Sequence, residues 1–125
     1  MVMTQNDKDL LIRDLCARLP YGVEVEYNSI KCEVLSIDTY NEELTIRVCP
    51  GYCPVVKFEN VKPFLFPLSS MTEEQIKEFN SITQKCRTYI GKSILLTDFC
   101  NKHHIDWRGL IPMDLAIDAT ELNIY

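Results

Sequence analysis

Val23-Glu24-Val25-Glu26-Tyr27-Asn28-Ser29-Ile30-Lys31-Cys32-Glu33-Val34-Leu35-Ser36-Ile37 is the stretch whose reading decides the fold class. Val23, Val25 and Tyr27 alternate with Glu24 and Glu26, the period of two that sends successive side chains to opposite faces of a strand. Asn28-Ser29 interrupts the alternation before a second β-rich run, Ile30 to Ile37, so the segment reads as a half-buried hairpin. The pattern then continues downstream. A polar connection from Asp38 to Glu43 leads to Leu44-Thr45-Ile46-Arg47-Val48, and Pro50-Gly51 occupy the two central places of a type II turn. Val55 to Phe58 forms another strand. Phe64-Leu65-Phe66 makes a fifth between Pro63 and Pro67, placed at an edge because proline cannot donate to a ladder. Five short strands joined as a meander, with an abrupt turn before the last, predict an α+β protein built on a small SH3-like five-stranded antiparallel barrel or a strongly bent sheet. The expected core is Val23, Val25, Cys32, Val34, Leu44, Ile46, Val48, Val56, Phe58 and Phe64.

Helices flank this region. Leu11, Ile12, Leu15, Cys16 and Leu19 recur at helical spacing, with Asn6 or Asp7 able to cap the start and Pro20 and Gly22 ending the element. Beyond the strands, Thr72 with Gln75 three residues on is a capping box, and Met71 can staple onto Ile76. Ile76, Phe79, Ile82 or Thr83, and Cys86 form that helix's expected buried stripe, which Gly91 closes. A second C-terminal helix is expected from Thr97 to about Lys102 or His103, with Thr97 as its cap. Asp106 to Tyr125 has no sustained period and reads as an ordered irregular tail with at most one short strand or turn near Leu115 to Ile117. The whole is expected as one domain over 1–125: an N-terminal helix in 1–20, a barrel-like core in 21–68, and a helical and irregular part in 69–125.

The chain has 125 residues, 46% of them hydrophobic, and a formal net charge of −5. A compact chain of this mass has a folded surface of about 6,900 Å², enough burial to dispense with metal or disulfide staples. No segment is strongly basic, which argues against binding duplex nucleic acid by phosphate neutralisation. No apolar run approaches the length of a membrane span, and residues 1–8 show no basic and then apolar leader pattern. A cytoplasmic setting is therefore expected, in which Cys16, Cys32, Cys49, Cys53, Cys86 and Cys100 remain thiols.

Few residues suggest chemistry. Cys49 and Cys53 flank the Pro-Gly turn, and convergence with Cys100 and His103 would offer four soft ligands, yet no second metal-binding knuckle is present and no metal is expected. Cys100 and His103, three apart on a helix, lack the third group that a nucleophilic site uses, so no catalytic residue is assigned. The four glycines never cluster, so neither a dinucleotide fingerprint nor a Walker loop can be written and no cofactor is expected.

The densest stretch is His103 to Leu110, which holds the sole Trp, both His and an Arg. Trp and Arg are favoured interface anchors, so His103, His104, Asp106, Trp107 and Arg108 are candidate binding residues, with Tyr40 and Tyr52 on the sheet as a second surface. The plainer reading has Trp107 packing the tail onto the strands and Asp106 capping a turn, with Arg108 on a solvated face.

Residues 15–23, Val61-Lys62-Pro63-Phe64-Leu65, residues 69–74 and Asn101 to Ile111 together resemble short uncharacterised proteins of gut anaerobic bacteria and their phages, collinearly over most of the chain. The resemblance implies a phage or mobile-element context and no catalytic residue, and the Cys49 to Cys53 turn departs from it. The reading that follows is a small non-enzymatic interaction module that binds another protein. The alternative is a small-ligand binder, such as a sponge for a host signalling nucleotide, in which Tyr21, Tyr40, Tyr52 and Trp107 stack a base and Arg108 pairs a phosphate.

Overall fold

A computed structural model describes residues 3–125. Helix α1, Gln5–Arg18, starts at Thr4, whose side chain accepts from Asp7 N while Asp7 bonds back to Thr4 N. The cap is thus two or three residues upstream of the expected Asn6 or Asp7. Asp7 serves as the reciprocal partner in the box. The strands are β1 Glu24–Tyr27, β2 Ile30–Asp38, β3 Glu43–Arg47, β4 Val55–Lys57, β5 Val61–Leu65 and β6 Ile117–Asp118, in sheet order β4-β3-β2-β1-β5-β6.

The first hairpin is as the alternation predicts. Tyr27 pairs with Ile30, and Asn28 and Ser29 both take positive φ, 50° and 64°, the left-handed pair that matches the twist of the flanking strands. The Pro50-Gly51 turn also forms, with Tyr52 N donating to Cys49 O at 3.0 Å and Gly51 at φ 85°, a conformation that favours glycine. Between Val34 and Ser36 the register with β3 slips, leaving Leu35 as an extra residue that bends β2.

The closed five-stranded antiparallel barrel is not what forms. The sheet is open, has six strands and is mixed, because β6 adds to β5 in parallel through Phe64 with Ile117 and Leu65 with Asp118. Two physical features oppose closure. The outer strands are too short to make a seam, three residues in β4 and two in β6. The apolar face of the bent sheet is covered instead by α1, whose Leu11 and Leu15 join Val23, Val25, Cys32, Val34, Leu44, Ile46, Val56, Phe58 and Val61 in one buried cluster. Nine of the ten expected core residues are buried, and Val48 packs at the margin of that cluster. Strand β5 is not an edge: it pairs with β1 on one side, including Pro63 opposite Val25, and β6 joins on the other only beyond the proline.

The C-terminal helices differ most from expectation. Helix α2, Glu73–Lys85, begins at the Thr72 capping box, with Gln75 N donating to Thr72 Oγ1 at 3.2 Å and Thr72 N to Gln75 Oε1 at 3.0 Å. Helix α3 runs Tyr89–Lys102, a full two turns longer than a helix starting at Thr97. Its cap is Thr88, which accepts from Gly91 N at 3.0 Å. Gly91 therefore lies inside the first turn. A Cβ there would meet Thr88 Oγ1 at 2.8 Å, so the glycine accommodates the cap. The stripe Ile76, Phe79, Ile82 and Cys86 faces α3 only in part, and no α2 residue is fully buried.

Because α2 packs only on α3 and the loops below, its start should respond locally to loss of its cap. Thr72→Ala should cost about 1 kcal/mol of α2 stability, read as roughly fivefold faster amide exchange over its first two turns.

Candidate functional site

The His103 to Leu110 stretch leaves α3 at its C-terminal end and pairs alongside Phe66, just beyond β5, where Phe66 N donates to His104 O and Asp106 N to Phe66 O, both at 2.8 Å. Its residues separate into internal and outward groups. Asp106 is buried and accepts from Leu110 N and Ile111 N at 2.8 Å each, so it caps the following turn. His104 is buried at φ 57° and stacks its ring on Tyr125, centroids 3.8 Å apart. The Tyr125 hydroxyl donates to Phe64 O at 3.0 Å and accepts from Glu24 N at 3.1 Å. Burial pushes its pKa up to about 12. His103 packs on Phe99 and places Nε2 at 3.7 Å from Glu78 on α2.

Arg108 is not on a solvated face. Its Nη1 donates to Asp14 Oδ1 at 2.7 Å, and its guanidinium lies 4.0 Å above the Trp107 ring. Asp14 is completely buried on α1, and its other oxygen accepts from Arg18 Nε at 2.9 Å. Arg18 is equally buried and donates through Nη1 to Cys100 O, near the C-terminal end of α3, at 3.2 Å and through Nη2 to Ile105 O, in the segment that follows, at 2.6 Å. Sequence reasoning missed this cluster. Asp14 and Arg18, four apart on one helix, do form a legible pair, but the residues that complete it lie more than eighty positions away.

Trp107 is the outward group, 39% exposed, with its indole N–H donating to Asn101 Oδ1 at 3.1 Å. Held between Asn101 and Arg108, the ring forms one wall of a cleft of about 190 Å³ lined by Leu68, Phe79, Leu96, Thr97 and Cys100. Thr97 contributes the one hydroxyl in an otherwise apolar lining. That volume is below the roughly 300 Å³ at which small-molecule sites begin, and it suits one anchoring side chain.

The other candidates do not meet there. Tyr40 lies in the β2–β3 connection and Tyr52 in the β3–β4 turn, at opposite ends of the five-residue β3. Tyr21 follows α1 on another element. These rings cannot stack one base together with Trp107. A larger cleft of about 560 Å³, lined by Pro67, Ser69, Ser70, Asp118, Thr120, Glu121 and Leu122, carries two carboxylates and no cation, which disfavours phosphate.

Cys49 and Cys53 are exposed on their turn while Cys100 is buried beneath α2, and among the described residues no three His, Cys, Asp or Glu side chains gather in a metal-binding group. Burial raises the Cys100 thiol pKa despite the nearby Arg18 charge, and His103 turns to Phe99 and Glu78, so the two do not form a nucleophile and base. Among the described residues no helix is long and apolar enough to cross a membrane. Comparison with protein-family models, curated proteins and solved structures finds no match to this chain.

Two measurements check this geometry. Asp14→Ala leaves a buried guanidinium without its carboxylate and should cost about 3–5 kcal/mol in chemical denaturation. Arg108→Ala should cost more than the roughly 0.5 kcal/mol of an ordinary surface change.

The second concerns pH. Burial first, then the Arg18 charge and that of His103, lower the His104 pKa from 6.5 to about 4. The unfolded chain thus takes up a proton before the folded one does. Stability is fully present above pH 6.5 and falls between about 6.5 and 4, by about 3 kcal/mol. In His104→Asn, which tolerates positive φ and does not titrate, urea unfolding at pH 7 and pH 5 should lose most of this difference.

Proposed function

We propose that the protein is a non-enzymatic interaction module that docks another protein through the cleft between α2, α3 and Trp107. The observation that carries this reading is the preorganised Trp107 wall. An exposed indole fixed by Asn101 and Arg108 beside an apolar recess, with Leu68 exposed at the lip, has the form of a binding anchor rather than of a packed core ring. The lining supplies shape and apolar area and no group that would handle a proton or a phosphate. Its size favours a protein side chain over a nucleotide. The resemblance of residues 15–23, 61–65, 69–74 and 101–111 supports a phage or mobile-element origin for this module.

Affinity capture from the native host tests the proposal with wild type, Trp107→Ala and Leu68→Glu side by side. Leu68 is half exposed, so the charged variant leaves the fold intact while spoiling the lip. A partner recovered by wild type should bind about thirtyfold more weakly to both variants, equivalent to about 2 kcal/mol. Equal recovery by all three overturns the reading. Native mass spectrometry showing a retained small molecule would move it to the ligand-binding alternative.

A further inference from the structure

Helix α3 is held at one end only. Its last turns pack through Phe99 and Cys100 with Ile105, Met71, Phe79 and Ile82, whereas from Tyr89 to Asp98 no residue is buried. The rise from Tyr89 to Phe99, the first buried residue of the helix, is about 15 Å. Large apolar side chains stand in water on that free part: Tyr89 is 83% exposed, Ile90 72%, Ile94 57% and Leu95 47%. They do not share a face. At 3.6 residues per turn, Tyr89, Ile90, Ile94 and Leu95 are spread over about 240° of the helix's circumference. A second helix or a flat protein surface covers one side of a helix, so it would leave part of this set wet. A helix that is apolar on most sides suits an apolar phase that surrounds it.

Positive charge collects at the same place. From Phe79 to Thr97 the chain has Lys85, Arg87 and Lys92 and no Asp or Glu, so all 18 of its carboxylate side chains lie elsewhere. Lys85 and Arg87 are exposed. Among the described residues, none of the three cations is in an ion pair. An acidic body behind a basic tip turns that tip toward a negative surface.

We propose that the tip of the α2–α3 hairpin anchors the protein to an anionic bilayer surface. Tyr89, Ile90, Ile94 and Leu95 enter the boundary between headgroups and acyl chains, and Lys85, Arg87 and Lys92 pair with lipid phosphates and carboxylates. Long stems let the cations stay at headgroup level while the neighbouring apolar groups go deeper, and a tyrosine ring is at home at that interface. The anchor lies on the bilayer without crossing it: among the described residues no helix is long and apolar enough to span one. Lipid accounts for both observations together. Its headgroups take the unpaired cations, and its acyl boundary surrounds the tip without a matched shape. A nucleic acid would pair the cations and leave Ile90, Ile94 and Leu95 in water. The cleft beside Trp107 opens lower on α3, at Leu96, Thr97 and Cys100, so anchor and protein-docking site are separate and each stands without the other.

Co-sedimentation of the full chain with lipid vesicles tests this. Phosphatidylcholine vesicles with about 30% phosphatidylserine should bind it at least about tenfold more tightly than phosphatidylcholine alone, and about 0.5 M salt should remove most of that preference. Lys85→Glu with Arg87→Glu should weaken binding to the anionic vesicles at least about tenfold, and Ile90→Ser with Ile94→Ser by about the same factor. All four side chains are exposed, and circular dichroism checks that the variants keep the fold. With vesicles present, Tyr89→Trp should gain an emission component that a spin label at the top of the acyl chain quenches, while wild-type Trp107 stays unquenched. No pelleting with anionic vesicles overturns the proposal, and a gel shift with an RNA oligomer or a dimer in sedimentation velocity then gives the tip to a nucleic acid or a second copy. Equal binding to neutral vesicles overturns it too, as does loss with only one of the two double variants or quenching of wild-type Trp107. Loss of partner capture in Trp107→Ala, by contrast, bears only on the cleft.

Discussion

The Arg18 guanidinium is the joint on which the tertiary arrangement depends. It sits without solvent exposure at the end of α1 and reaches three separate parts of the chain: Asp14 on its own helix, Cys100 O on α3, and Ile105 O in the segment that follows. Burying a guanidinium is expensive, and apolar residues of the same volume would often be as stable. Apolar packing, however, would not specify direction. The planar fork accepts only acceptors placed at its hydrogens, so the C-terminal end of α3 has one position relative to α1.

That constraint carries outward to the cleft. Asp14 is shared between Arg18 and Arg108, and Arg108 lies on Trp107. The Trp107 wall of the cleft is therefore braced through a buried carboxylate on α1 that does not itself line the cleft. Three modest apolar clusters surround this polar joint: the sheet with α1, the tail around Leu110 and Leu115, and the hairpin base around Phe99. The last two are small, and the hydrogen-bonded joint fixes the hairpin base against α1. The α2–α3 hairpin is fastened only at its base, so its outer half exposes side chains that elsewhere in the chain would be core.

Much of this was legible from local pattern. The period of two at Val23–Tyr27, the Asn28-Ser29 and Pro50-Gly51 turns and the Thr72 capping box each rest on interactions within a few residues, and each forms as read. The core is legible for the same reason, since alternation states which face of a strand is apolar. The first two turns of α3 were not. Gly91 and the adjacent polar residues read as a break, because the Thr88 cap that makes a glycine fit there depends on local backbone geometry more than on composition.

Sequence by itself determined strands β1 to β4, the first hairpin, the capped start of α2 and the identity of the central core, because short-range sterics and hydrophobic period act before distant parts meet. It also marked His103 to Arg108 as unusual. Only the tertiary structure decided which of those residues turn inward, that β6 extends the sheet and leaves it open, and that Asp14 and Arg18 brace Trp107. Those outcomes depend on donors and acceptors separated by many tens of residues, whose meeting is set by the packing of the whole chain and leaves no periodic trace along it.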